Sequence, residues 1–457
     1  MTDPITQYYA DNPWTVMDKN QRTWLDPDLI DMYRQKSIFK PLITFTRNLG
    51  DVRATSMTMT QLLPAHADTT ALDARQIWMP AMHVDSRAVE ITFQHNGAKV
   101  AYHKYDDMIT YWRYNNKEGI RNIVRGALGQ VEIDMNDLLA RNALINGAAT
   151  TGYTYYMGDA TDFNTLDTGD LFEPGVSSDI WLGMANRGVA QALGPNGAGN
   201  NIVCFTSPGV IYDIQQDEDW IAVQQYQGMT ALMNYEVGTY KNVRFIQSPK
   251  MTLWNCGAII ARAPIAASHA AGDGAPDPAT TKVDGSYRVG QTTGSIKHYL
   301  QLGVFTSGSI GNLAVNDIIT IHKTVTSDYG VTDGVNFNEG TLMTRRIVAI
   351  EEGNGGRIKL DTPIMVDYTD DLGGGVYGYI TKGRNIHASM FVGAGNALVA
   401  GVAQAPQFYE LDPIDDYKAI YRFTFDQYLG YQPFMPETFE VVFSAGTTRV
   451  KGKKAVQ

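Results

Sequence analysis

The sequence predicts an α+β chain with an all-β module set into it, and three observations carry that expectation. Two stretches before residue 105 alternate apolar and polar side chains with a period of two. A run from Gly119 to Asn146 changes to three- and four-residue steps. From about Ser268 to Arg384 glycine becomes dense and helical periodicity disappears. At 457 residues, 44% hydrophobic and 19% charged, the chain has material for several packed domains rather than for disorder.

The first fifty residues are irregular, broken by Asp3-Pro4, Asn12-Pro13 and Asp26-Pro27, with aromatics such as Trp14 and Trp24 between them. Asp26-Pro27 predicts one short helix, Asp28 to Ser37, with proline at its first position. Such a segment cannot build its own core, so it reads as an arm lying on something else. Thr55 to Thr60 then alternates as a half-buried strand, and a segment bounded by Pro64 and Pro80 follows. Val89, Ile91 and Phe93 alternate with Glu90, Thr92 and Gln94 ahead of Asn96-Gly97, Val100 and Tyr102. Asn-Gly suits a type I′ turn, so the spacing predicts a turn at 96–97, a long hairpin with a projecting tip and a returning strand.

Between Gly119 and Asn146 the positions Ile120, Ile123, Val124, Ala127, Leu128, Val131, Met135, Leu138 and Leu139 share one helical face, and Gly147 reads as the stop. At 1.5 Å per residue the helix is about 40 Å long. A second helix is predicted from Ser178 to Leu193, capped by Ser177, Ser178 or Asp179 and ended by Gly194-Pro195. Ile202 to Phe205 reads as a buried strand, and a helical segment begins at Pro208. Ala266 to Pro278 has linker composition. Beyond it, Ile318 to Ile321, Arg346 to Ile350, Arg357 to Leu360 and Val376 to Ile380 predict short strands, with turns at Asn354-Gly355 and Gly373 to Gly375. Met390 to Val402, Tyr421 to Gly430 and the strand Phe439 to Phe443 return to the earlier manner, so the β module reads as an insertion in one parent domain.

Chemistry is harder to find. In Gly446 to Lys454 a phosphate-binding loop lacks the second glycine at the right place and the closing Ser or Thr, and Gly393-x-Gly395 has Leu398 where a dinucleotide fingerprint needs glycine. The eight histidines lack ligand spacing; His95 and His103 come nearest and read as strand-surface residues. Asp217-Glu218-Asp219, Asp370-Asp371 and Asp415-Asp416 read as solvated turns. No catalytic residue, metal ligand or cofactor is therefore expected. Cys204 and Cys256 each stand alone in apolar sequence, which reads as two buried thiols and a cytoplasmic folding compartment. With no apolar run of membrane length and no signal-peptide pattern, neither a membrane nor export is expected. The net charge of −11 argues against a nucleic-acid reader, and the one short basic cluster is Lys451, Lys453 and Lys454. Aromatics at 11% tilt the reading toward an oligomer.

Ser207-Pro208, Val210 to Ile214, Trp220, Tyr226, Glu236 to Tyr240 and Val243 to Ile246 follow one another after the Asp106-Asp107 turn and the helix running into Leu144 to Ala148. With the Tyr417 to Tyr428 run, and in that order, these stretches resemble tailed-bacteriophage major capsid proteins. The resemblance implies the Hong Kong 97-like capsid fold and no enzymatic activity. It divides the chain into an N-terminal arm (1–50), an extended loop with its returning strand (51–105) and a peripheral domain on a long spine helix (106–200). An axial domain in two parts (201–267 and 385–457, the second with a C-terminal tail) surrounds an inserted β domain (268–384). It implies hexamers and pentamers of an icosahedral head enclosing double-stranded DNA, assembled in the host cytoplasm and located in the virion. Scaffolding, portal and decoration proteins are partners of the kind implied. A nanocompartment shell of the same fold and a carbohydrate-binding or adhesin protein are the alternative readings.

The tip of the extended loop carries Leu63, Leu72, Ile77, Trp78, Met79 and Met82, much apolar surface for a protruding segment to leave wet. These residues, with Trp14 and Trp24, are the expected inter-subunit contacts, Trp78 being the anchor.

Overall fold

The structure is a computed structural model that describes residues 37, 39, 43–48, 55–62, 85–103, 113–114, 117–118, 120–189, 202–218, 220–221, 236–240, 243–266, 299–322, 342–351, 356–360, 376–393, 397–411, 420–450 and 453–456. The predicted arm helix, the Ala266 to Pro278 linker beyond its first residue and the Leu63 to Met82 tip lie outside these residues.

A central sheet takes up the buried runs. Its strands Thr154–Tyr156, Phe439–Ser444, Ile386–Val392, Ile202–Thr206, Val243–Gln247 and Glu236–Tyr240 stand side by side in that order, and Thr252–Leu253 adds to Ile386–Val392. Ile386–Val392 is buried at every position, as a strand covered on both faces must be. Ala388 and Met390 point to one layer and Phe391 to the other.

Helix α1, Ile120–Thr151, covers the first of those faces through Leu144, Ile145 and Ala148. Its N-terminal half lies instead on a four-stranded sheet, Val124 and Leu128 meeting Ala98, Phe423 and Phe425. One helix of 32 residues, about 48 Å long at 1.5 Å per residue, thus joins two sheets. Gly147 does not stop it. A Cβ there would fall 2.2 Å from Pro433 Cγ, so the missing side chain lets helix and strand touch. The helix ends at Gly152, whose φ of +77° is the left-handed conformation that glycine adopts without strain.

Helices α2 (Pro174–Asn186) and α3 (Pro208–Ile214) cover the opposite face of the central sheet, with Ile180, Met184, Val210 and Ile214 against Phe245, Phe391 and Val442. Helix α2 begins before the predicted Ser178 and ends before Leu193. Glu173 is its N-cap and Pro174 its first residue, where a preset φ favours helix entry; Ser177 sits inside the first turn, donating to Pro174 O at 2.5 Å.

The four-stranded sheet runs Ile43–Asn48, Leu398–Leu411, Ile420–Pro433, Gln94–His103. The turn expected at Asn96-Gly97 is absent. Both residues lie inside Gln94–His103, opposite Gln427 and Asp426. Ten consecutive cross-strand pairs outweigh the local turn preference, and Gly97 serves a close approach, since a Cβ there would lie 2.4 Å from Phe425 O. The hairpin forms one step earlier in the chain, as a ribbon of Ser56–Leu62 with Ser86–Thr92 in unbroken register.

A third sheet takes the order Ile259–Ala266, Val376–Gly383, Ile318–His322, Leu342–Glu351, Arg357–Leu360, Tyr299–Gln301. Its outer edges meet through the bridges Ile265↔Leu302 and Arg262↔Ser307, which closes it into a small barrel. Alternate residues fill the interior, among them Ala261, Ala263, Ile319, Ile321, Ile358 and Leu360. The sheet takes in Ile259–Ala266, ahead of the Ser268 boundary that composition suggested. The segments leading in and out lie side by side, with Gly257 N donating to Arg384 O at 2.9 Å and Arg384 N to Ala258 O at 3.0 Å. Asn255, at φ +59°, pins this neck: its Nδ2 donates to Ile318 O at 3.1 Å and Thr320 Oγ1 at 3.0 Å, and its Oδ1 accepts from Gly383 N at 3.2 Å.

Candidate functional site

The ribbon of Ser56–Leu62 with Ser86–Thr92 is held at its root by contacts to the rest of the chain. Met57, Met59, Val89 and Ile91 form its apolar row, and they pack on Val399, Phe434 and Met435 of the same chain. The row at the base therefore has a receiving surface within the same chain, which a two-stranded ribbon alone does not provide. The guanidinium of Arg87 donates to Gln61 Oε1 at 2.8 Å across the ribbon and to Phe434 O at 3.0 Å on the body, and it faces Glu437 at 3.4 Å. Where the ribbon crosses the four-stranded sheet, Gly401 and Gly430 stand opposite each other on paired strands. At the ribbon's far end Leu62 is 70% exposed, so the last described residue of its first strand carries an apolar side chain into solvent.

An open groove of about 780 Å³ runs between this root and α1, lined by Arg87, Val89, Asn142, Asn146, Tyr431 and Phe434. Below it a polar seam fixes α1 to the turn after Val243–Gln247. Lys250 Nζ meets Asp134 and Asp137 at 2.9 Å each, and Ser37 donates to Asp137. Arg141, 2% exposed in the middle of the helix, donates to Lys250 O at 2.5 Å. Tyr431 is pushed up to about 12, first by burial and then by the charges of Glu132 and Asp137.

Ser207 and His387 come together in a way that the sequence does not announce, the hydroxyl lying 2.5 Å from Nδ1. Their setting is a packed interior: Ser207 is fully buried, its Oγ caps α3 by accepting from Val210 N at 3.3 Å, and burial lowers His387 from 6.5 to about 4. Thr206 and Ser389 pair beside them at 2.6 Å. A serine hydroxyl without space for a substrate is a structural group. Cys204 and Cys256 are both free and buried, burial pushing the Cys204 thiol up.

Among the described residues no group of three or more His, Cys, Asp and Glu could hold a metal ion, and no helix is long and apolar enough to cross a membrane. His95 stacks on Tyr428 at 4.2 Å and faces Asp426 at 3.7 Å, and His103 lies at the other end of the same strand. Asp217 accepts from Trp220 N at 3.4 Å as a turn residue. Asp370-Asp371 and Asp415-Asp416 lie outside the described residues, as do all the expected contact residues, Trp14, Trp24, Leu63, Leu72, Ile77, Trp78, Met79 and Met82. What sequence reasoning missed is the root: Arg87, Gln61 and Glu437 are polar residues far apart in the chain, and only the paired glycines, each flanked by strand-forming residues, carried a readable signal.

No family model matches this chain, and neither does any curated protein. Solved structures do. The capsid of Ralstonia phage GP4 is similar at a TM-score of 0.50 and 10% identity, with 94% of this chain and 96% of that chain covered. The Cyanophage Pam1 capsid aligns at a TM-score of 0.48 and 10% identity over 94% of this chain and 98% of that one. The capsid of Helicobacter pylori bacteriophage KHP30 aligns at 0.47 and 10% identity over 94% and 98%. At such identity the likeness to the GP4 capsid is one of fold, and this chain has a phage-capsid fold.

Proposed function

We propose that this chain is a major capsid protein of a tailed bacteriophage, a structural subunit that self-assembles into the hexamers and pentamers of an icosahedral head around double-stranded DNA. The observation that carries the reading is the end-to-end likeness of fold to the GP4 capsid, which covers 94% of this chain and 96% of the other. A fold shared along both lengths leaves little of either chain for a different task. In this reading the Ser56–Leu62 and Ser86–Thr92 ribbon is the base of the extended loop, and α1 is the spine of the peripheral domain. The central sheet, apart from its edge strand Thr154–Tyr156, belongs to the axial domain, and the barrel is an inserted domain. The chain works as a structural protein of the virion, assembled in the host cytoplasm, with scaffolding, portal and decoration proteins as the expected kinds of partner.

Physical features agree with that use. Exposed Leu62, Phe408, Tyr409 and Tyr428 leave apolar and aromatic surface on the ribbon and on the four-stranded sheet, the residue types that interfaces use. Trp14, Trp24, Leu63, Leu72, Ile77, Trp78, Met79 and Met82 are assigned to those inter-subunit contacts, with Trp78 as anchor. Electron microscopy of the purified full chain tests the reading: closed isometric shells are expected, and a chain that stays monomeric at high micromolar concentration overturns it. In a structure of the shell, Trp78 is expected to lose most of its accessible surface when neighbouring subunits are added.

A further inference from the structure

We propose that the edge of the four-stranded sheet at residues 404–409 pairs with the same edge of a second copy of this chain, strand against strand across a two-fold axis. Strand Leu398–Leu411 is bonded on one side to Ile420–Pro433, while on the other Ile43–Asn48 reaches only from Leu398 to Val402. Beyond that point, among the described residues, no strand meets the second side from Gln404 to Tyr409. Alternate residues of such an edge turn their N–H and C=O groups outward, a template for one more strand. Edges that stay alone are blunted by charge, proline or a bulge. Pro406 and the broken register between Gln404 and Gln407 blunt the first part of this one, but Gln407-Phe408-Tyr409 carries neither charge nor proline.

A second copy is the occupant that fits, because this one patch holds both a knob and a hole. Phe408 stands opposite Phe425 on the face that α1 covers, yet it is 48% exposed. Beside it a recess of about 300 Å³ opens at the edge, lined by Arg125, Phe408, Tyr409, Glu410 and Phe423. Its aromatic walls suit an arriving ring, and the Arg125 guanidinium already lies 5.2 Å over the Phe423 ring. A two-fold axis normal to the sheet keeps each face on its own side, so Phe408 of each copy reaches the recess of the other, as an isologous contact requires. In the register that sets Phe408 opposite its own copy, Gln407 stands opposite the partner's Tyr409. Glu410 then stands opposite the partner's Pro406, so like charges do not meet. Within one chain the Tyr409 hydroxyl already donates to Gln407 Oε1, a contact that the same two side chains repeat between copies. So short a pairing falls below the roughly 1,200 Å² that a stable complex buries. It therefore acts beside other contacts, and for those it rests on the shell reading that it deepens.

Cysteine cross-linking of the purified full chain tests this, since Cys204 and Cys256 are both buried. Directly opposed residues of antiparallel strands have Cα atoms about 4.5 to 5.5 Å apart, inside the about 4.4 to 6.8 Å that a disulfide spans. Under mild oxidation with diamide, Phe408→Cys is expected to give a disulfide-linked dimer about tenfold faster or more than Val304→Cys, because a held geometry outruns chance collision. Val304 is 89% exposed and reports that collision rate. Gln407→Cys and Tyr409→Cys, expressed together, are expected to cross-link faster than either alone, because each residue and its own copy are diagonal neighbours, about 7 to 8 Å apart. This second arm leaves Phe408 in place. Equal rates at 408 and 304 overturn the proposal, and single variants as fast as the mixture overturn the two-fold register. A Phe408→Cys thiol shielded from maleimide without dimer formation also overturns it, and puts another strand or another protein on the edge. The two proposals fail separately: closed shells without the 408 dimer keep the shell and sink the pairing, and the 408 dimer without shells does the reverse.

Discussion

Gly401 and Gly430 face each other across two paired strands, and the ribbon crosses the sheet on the flat place they leave. A Cβ on Gly430 would lie 2.3 Å from Thr92 O and 2.9 Å from Ile91 Cγ2, and one on Gly401 would lie 2.8 Å from the Phe93 ring. The angle at which the ribbon leaves the body is therefore set by two absent side chains.

Gly430→Val is accordingly expected to lift the ribbon and to destabilise the fold by about 2 kcal/mol, as overpacking does. Hydrogen exchange reads both effects. Amides of Ser86–Thr92 should lose protection first, and unchanged protection there would show that the sheet yields instead.

Acid should weaken the fold through His387. Folded, it stays neutral down to about 4, while an unfolded histidine titrates near 6.5. Between those values the unfolded chain takes up a proton that the folded chain refuses, so stability is full above pH 6.5 and declines by up to about 3 kcal/mol as pH falls to 4. Denaturant titrations at pH 7.5 and 4.5 should show His387→Gln losing less stability on acidification than wild type. An equal loss in both would place the acid sensitivity elsewhere.

At the barrel's neck, Asn255→Gly and Asn255→Ala separate two effects. Both remove the side-chain hydrogen bonds to Ile318 O, Thr320 and Gly383, each worth about 1 kcal/mol. Only alanine adds the strain of φ +59°, about 1 kcal/mol more. Thermal unfolding should rank wild type above glycine above alanine, and alanine equal to glycine would mean that the backbone relaxes.

Lys250→Met should cost about 3 kcal/mol, because it takes the cation from Asp137, a carboxylate only 2% exposed on α1. Adding Asp137→Asn should recover much of that loss in a double-mutant cycle. Additive losses would show that the pair is not coupled.

Periodicity carried the strands and the long helix, and glycine density with the loss of helical periodicity carried the β region, because each is a local pattern. It failed where a distant contact decides. Asn96-Gly97 has the chemistry of a turn, yet pairing with Gln427 and Asp426 keeps it extended, and Gly147 looks like a helix stop until Pro433 is packed against it. Pro174 outranked Ser177 and Ser178 as a starting signal for α2 because a proline preset for the first turn acts before any cap does. The ribbon's anchor on Phe434 and Glu437 was illegible for the same reason, since nothing near Arg87 in sequence names those partners.

The neck where Arg384 accepts from Gly257 and donates to Ala258 also bears on how the chain folds. Strand Ile386–Val392 must find Ile202–Thr206 across a long stretch of intervening chain, a search whose entropic cost grows with the loop that has to be closed. Once the barrel has formed, its ends are already adjacent, and the chain between 258 and 383 counts as little more than a tight turn. A barrel that folds early would act as a clamp that shortens the search, and slowing its closure should delay the central sheet without altering its final stability.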